Sequence, residues 1–99
     1  MRILLICNAG MSTSMLLTSM ERSAKERNID ATIMAVSFNE SLDIVHTFDI
    51  AMLGPQDRHQ ANRLRDVAGD VPIVIISMKD YGQMNGEKVL DDAINEIKK

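Results

Sequence analysis

An α/β domain on a parallel sheet is the fold class that this 99-residue chain predicts. Two observations carry the prediction. Four short runs, at residues 3–6, 31–36, 50–53 and 71–76, are apolar nearly throughout instead of alternating, the pattern of strands covered on both faces. The segments between and after them have helical spacing, and strand–helix alternation repeated four times implies right-handed crossovers between parallel strands.

Each element follows in order. After the first strand, Leu16, Met20 and Ala24 recur at i, i+4 and i+8, and Met15 and Leu17 widen the stripe into a helix face. Asn28 marks that helix's end, before the second strand. Residues 39–46 give the weakest signal and read either as a short helix capped by Asn39 or as a loop. Gly54-Pro55 closes the third strand, and Ala61, Leu64 and Ala68 mark the next helix. Gly69-Asp70 precedes the fourth strand and Tyr81-Gly82 follows it as a turn. The last helix is the clearest: Val89, Leu90, Ala93, Ile94 and Ile97 share one face, opposite Asp91, Asp92, Asn95, Glu96 and Lys98. Lys98 and Lys99 suit the negative end of its dipole. Met15, Met20, Met34 and Met52 are expected to fill gaps in the core.

Composition bounds the function. With 45% hydrophobic and 25% charged residues, the chain reads as one soluble globular domain over residues 1–99. A net charge of −3 with only Phe38, Phe48 and Tyr81 as aromatics gives neither the basic face nor the stacking platform of a nucleic-acid binder. The single cysteine makes no internal disulfide. The apolar start is far shorter than the roughly 7–15 residues of a secretory segment or the roughly 20 of a membrane span. A cytosolic protein without membrane insertion is the expectation.

The informative segment is Cys7-Asn8-Ala9-Gly10-Met11-Ser12-Thr13-Ser14, placed between the first strand and the first helix. Open parallel sheets bind ligands at that junction, where exposed N–H groups and a helix's positive end face outward. Gly10 permits a tight turn, Asn8 and Ala9 are small enough for amides to approach an anion, and Ser12, Thr13 and Ser14 offer hydroxyls. A cysteine beside that cradle is favoured as thiolate, the nucleophilic form. A buried Cys7 acting only as a small hydrophobe, with the hydroxyls as a helix cap, is the plainer alternative. A phosphatase of the C-x5-R type needs an arginine six residues after the cysteine, and that position is Thr13. No nucleotide-binding G-x4-G-K-[ST] occurs either. A loop that holds phosphate without the arginine clamp suits receiving and handing on a phosphoryl group better than hydrolysing it.

Three motifs together resemble a known family. They are Cys7-Asn8-Ala9-Gly10-Met11-Ser12-Thr13-Ser14 after the first strand, Gly54-Pro55-Gln56 after the third, and Tyr81-Gly82-Gln83-Met84-Asn85-Gly86 before the last helix. The chain resembles, nearly end to end, the lactose/cellobiose-type IIB subunits of the bacterial sugar phosphotransferase system. The resemblance implies a four-stranded parallel sheet in the order 2-1-3-4 with helices on both faces, a three-layer sandwich similar to low-molecular-weight phosphatases and flavodoxins. It implies that Cys7 accepts a phosphoryl group from a phosphohistidine of a IIA subunit and carries it as phosphocysteine. The group then passes to a sugar of the cellobiose, chitobiose or lactose class bound by a membrane IIC subunit. Asn8 to Ser14 would form the phosphate-binding loop, and Gly54-Pro55-Gln56 would face Cys7 across the switch point. No cofactor and no metal is expected.

Other residues are weighed and set aside. His46 and His59 read as surface residues, with His59 near enough to Gly54-Pro55-Gln56 to border the site. Asp80-Tyr81 lies at the same sheet edge; related phosphatases use a late aspartate as general acid, but here both read as turn residues or partner contacts. Met11 is expected to touch a docking partner. Arg58, Arg63 and Arg65 read as a solvated face, and the carboxylates as solvent-facing. A phosphatase and a redox-sensing thiol stand as alternatives to the carrier.

Overall fold

A computed structural model describes the backbone of residues 1–7 and 10–99 and the side chains of residues 1–7 and 14–99. In chain order the elements are β1 (Arg2–Ile6), α1 (Gly10–Glu26), β2 (Thr32–Val36), α2 (Phe38–Ile44), β3 (Ile50–Leu53), α3 (Ala61–Ala68), β4 (Ile73–Ile75), α4 (Met78–Gly82) and α5 (Gly86–Ile97). Short 3-10 turns cover Val45–Thr47 and Pro55–Gln60. The strands form one parallel sheet in the order β2-β1-β3-β4, as the resemblance implies.

The apolar runs resolve into two faces because successive side chains alternate across a strand. Ile3, Leu5, Ile50 and Met52 pack under α1 and α5 with Leu16, Met20, Val89, Leu90 and Ala93. Leu4, Ile6, Ala51 and Leu53 point the other way, to Phe38, Val45, Leu64 and Ala68 on the side of α2 and α3. Both faces of the central strands are therefore covered, and near-continuous hydrophobicity is the result.

Several expectations are corrected. Residues 37–47 do form a helix and a 3-10 turn, but the cap is Ser37: its Oγ accepts the Glu40 N–H at 3.3 Å, and Asn39 lies inside α2. The chain leaves β2 extended at Ser37, which puts its hydroxyl, and not the Asn39 amide, beside the open N–H groups. β4 is shorter than the apolar run 71–76, because only Ile73–Ile75 pair with β3. Tyr81 is not in a turn but in α4, which Ser77 caps by accepting the Asp80 N–H at 3.1 Å. Met20 and Met52 are core residues, whereas Met15 is 60% exposed and Met34 42%. Met15 lies outside the stripe that α1 turns toward the sheet, and Met34 sits on edge strand β2.

Candidate functional site

The site is built by one row of the sheet. Ile6 pairs with Leu53, and Leu53 with Ile75. The ladder continues one residue past the strands: Cys7 N–H donates to Val36 O (3.2 Å), Gly54 N–H to Ile6 O (3.0 Å) and Ile76 N–H to Leu53 O (2.8 Å). Cys7, Gly54 and Ile76 thus stand side by side at the C-terminal edge, where open parallel sheets place their ligands. By alternation Cys7 falls on the same face as Ile3 and Leu5, and it joins their cluster with Ile76 and Tyr81.

Glycine at position 54 makes room for the sulfur. A Cβ placed there would stand 3.2 Å from Cys7 Sγ and 3.1 Å from Gln56 Oε1. The glycine of Gly54-Pro55-Gln56 therefore has a local reason, for Gly54 lies against Cys7. Gly54→Ala is expected to leave the protein folded but to push the sulfur aside by a few tenths of an ångström. For a reacting atom, a displacement of that order costs up to about tenfold in rate. A Gly54→Ala variant that matches the parent when both are assayed for chemistry at the Cys7 thiol would show that this gap has no role.

The structure brings Tyr81 to the sulfur. Its hydroxyl lies 3.1 Å from Cys7 Sγ, and the residues are 6% and 8% exposed. Asp80, its neighbour, turns toward α5, where Lys88 Nζ lies 3.8 Å from its carboxylate. The Lys88 ammonium is held above its usual pKa by its hydrogen bond to Asp92, against some desolvation, with the charges of Asp92, Asp80 and Asp91 adding. A raised lysine stabilises the fold below its unfolded value and loses that contribution as pH rises through the folded one, so the contribution is complete at neutral pH.

Asp57 corrects the expectation that the carboxylates face solvent. It is 3% exposed, because the 3-10 turn after Gly54 folds it inward; its N–H donates to Gly54 O (3.0 Å) and its Oδ1 accepts from Gln60 Nε2 at 3.3 Å. No sequence signal singles it out. Arg58, Arg63 and Arg65 are exposed, as expected of a solvated face; Arg63 lies over the Phe38 ring at 5.5 Å, and Arg65 Nη1 donates to Asn62 Oδ1 at 3.0 Å. His59 is exposed and lines a cleft of about 390 Å³ with Pro55, Gln56, Arg58 and Met78, beside the site. His46 is exposed in the turn before β3, at the opposite end of the sheet from Cys7.

The expected phosphate-binding segment is placed only in part. Asn8 and Ala9, and the side chains of Gly10, Met11, Ser12 and Thr13, lie outside the described residues, so the roles expected of them, including partner contact by Met11, do too. The backbone shows that α1 begins at Gly10, earlier than the expected boundary after Ser14. Gly10 to Ser14 therefore lie on the first turns of α1, where helix geometry leaves N–H groups without intrahelical partners. Ser14 is exposed, and its carbonyl accepts from Thr18 Oγ1 at 3.0 Å.

Fold and site define a three-layer α/β domain with a thiol at the end of its first strand, next to the switch point and the start of a helix. The family described as PTS system, Lactose/Cellobiose specific IIB subunit, matches residues 2–92, and the chain belongs to that family. It is 38% identical to the galactose-specific EIIB component of Lactococcus lactis subsp. cremoris, over 94% of this chain and 93% of that protein. It is 31% identical to the oligo-beta-mannoside-specific EIIB component of Bacillus subtilis, over 95% of this chain and 93% of that one. The solution structure of a cellobiose-specific phosphotransferase IIB component from Borrelia burgdorferi superposes with a TM-score of 0.83 at 48% identity, covering 99% of this chain and 92% of that one. The lactose-specific IIB domain from Streptococcus pneumoniae shares the fold, with a TM-score of 0.85 at 17% identity over 96% of this chain and 95% of that one. As a IIB component the chain takes part in phosphoryl transfer to sugar. No helix among the described residues is long and apolar enough to cross a membrane.

Proposed function

We propose that this chain is a cytoplasmic phosphoryl carrier of a sugar uptake system. Cys7 accepts the phosphoryl group from a phosphohistidine of a IIA subunit, holds it as phosphocysteine and passes it to sugar bound by a membrane IIC subunit. The position of the Cys7 sulfur supports this reading: it stands at the C-terminal end of β1, 3.1 Å from the Tyr81 hydroxyl and close against Gly54, shortly before α1 begins. The lactose/cellobiose description of the family and a cellobiose-specific relative support a sugar of the cellobiose or lactose class, with chitobiose as a third candidate of the same kind.

The chemistry follows from the placement. In-line attack by the thiolate forms the S–P bond as the P–N bond to the donor imidazole breaks. Backbone N–H groups from Asn8 to Ser14 and the positive end of α1 would meet the equatorial oxygens, a role that metal ions fill in many phosphoryl-transfer sites. No dissociable cofactor is required, because the phosphoryl group is itself carried covalently. Thr13 in place of a phosphatase arginine leaves the bound group without a bidentate clamp, which favours a transferable intermediate over hydrolysis.

Intact mass spectrometry after mixing with a phosphorylated IIA subunit tests the reading. One added phosphoryl group is expected, located to the peptide that holds Cys7 and prevented by prior alkylation of the thiol. Failure of folded, reduced protein to gain it from IIA donors of the lactose and cellobiose classes would overturn the carrier role. Sustained release of inorganic phosphate from an aryl phosphate would point to a hydrolase instead.

A further inference from the structure

A carrier sulfur has two opposite tasks. It is the nucleophile when the phosphoryl group arrives and the leaving group when it departs, and only the second step returns negative charge to sulfur. We propose that Tyr81 governs that departure: its hydroxyl donates a hydrogen bond to Cys7 Sγ and stabilises the charge that returns to the sulfur as the S–P bond breaks. The inference rests on the carrier reading above and assigns a second reacting-centre residue to it.

The geometry is specific. Tyr81 Oη and Cys7 Sγ are 3.1 Å apart in a buried position, and either atom can be the donor while the sulfur holds a proton. Once the sulfur is a thiolate or is bonded to phosphorus, it has no proton, and Tyr81 is the donor in both states. The two acceptors are unequal. A thiolate takes a charge-assisted bond about twice as strong as a neutral one, whereas sulfur bridging carbon and phosphorus carries no charge. Tyr81 therefore holds the free thiolate more tightly than the phosphocysteine, and this difference drives release.

The hydroxyl is fixed from both ends of α4. Ser77 caps the helix start, while Asn85 N–H donates to Asp80 O (3.0 Å) and Met84 N–H to Tyr81 O (3.1 Å) beyond its end. The steps balance without Tyr81 giving up its proton. On arrival, the sulfur lone pair forms S–P and the P–N electron pair stays on the imidazole, which takes a proton from solvent. On departure, a sugar hydroxyl oxygen forms O–P, the S–P pair returns to sulfur, and the hydroxyl proton leaves to solvent or to a base on IIC.

Tyr81 is the chain's one tyrosine, so biosynthetic labelling with 3-fluorotyrosine alters this hydroxyl alone. The measurement is the equilibrium partition of the phosphoryl group between IIA and this protein, together with the rates of arrival and departure. In Tyr81→Phe, loss of a bond to a charged group is expected to shift the partition about tenfold toward phosphocysteine. Departure should slow by about the same factor, with arrival changing much less. The fluorinated hydroxyl is a better donor of nearly the same shape, and it should shift the partition the other way. A purely structural role would slow both directions and leave the partition unmoved, and that result overturns the proposal. Should Tyr81→Phe not fold, an unshifted partition in the fluorinated protein overturns it equally. A parent protein that takes up no phosphoryl group would remove the carrier reading itself; uptake with an unmoved partition removes only the role of Tyr81.

Discussion

Replacing Cys7 by serine is expected to abolish phosphoryl uptake while the protein stays folded. Sulfur is the stronger nucleophile, whereas a serine hydroxyl needs a base beside it. The described partner of the Cys7 sulfur is the Tyr81 phenol, which is not such a base. Loss of a nucleophile in a preorganised site costs at least about a thousandfold, so transfer should fall below detection. The fold is expected to survive, because a serine Oγ can keep the bond to Tyr81 and the row Cys7–Gly54–Ile76 is held through backbone. Burying a hydroxyl in place of the thiol should cost at most about 2 kcal/mol. The check is transfer from phosphorylated IIA in parallel with thermal unfolding. Uptake by Cys7→Ser at the parent rate would move the carrier atom elsewhere in the chain.

The second large effect concerns stability. Gly86→Ala should lower the unfolding midpoint by roughly 10 °C, taking about 4–8 °C per kcal/mol for a domain of this size. A Cβ at Gly86 would stand 2.5 Å from the Met20 backbone nitrogen, inside contact distance and against an atom that cannot swing away. Gly86 opens α5, and its N–H donates to Ser19 Oγ at 3.1 Å, so the start of α5 is clamped directly on α1. Overpacking costs about 1–3 kcal/mol, and backbone contact puts this case at the top of that range. The gain in helix propensity at this first helical position offsets less than about 1 kcal/mol of it. Gly82→Ala is the internal control: a Cβ there would meet nothing within 4 Å, and a change within about 1 kcal/mol is expected. Circular dichroism melts of the two variants decide the matter; a Gly86→Ala protein that melts with the parent would show that α5 can shift at no cost. The late motif Tyr81–Gly86 thus has two physical reasons, a hydroxyl at the sulfur and a helix start pressed against α1.

Legibility in the sequence tracks how local each cause is. β1 and β3 read clearly because strands buried on both faces must be apolar throughout, and α5 because its stripe is fixed by helical period alone. Ser37 is not legible as a cap, because the choice between it and Asn39 depends on where the chain leaves the sheet. Met34 reads as a core residue by type, yet edge position leaves it exposed. The closeness of Gly54 to Cys7 is legible because the ends of neighbouring strands share an edge. Asp57 carries no signal, since its burial comes from a 3-10 turn set by the preceding Gly54-Pro55.

The sequence by itself determined the fold class and the family and singled out Cys7 as the candidate nucleophile, because periodicity and motif spacing are properties of consecutive residues. Tertiary structure alone decided that Tyr81 reaches the sulfur and that Gly54 leaves it space. It also decided that Gly86 seats α5 on α1. The physical reason is distance along the chain. Cys7 and Tyr81 are separated by 74 positions, and no local preference of either side chain encodes a contact that only the sheet order β2-β1-β3-β4 and the packing of its covering helices bring about.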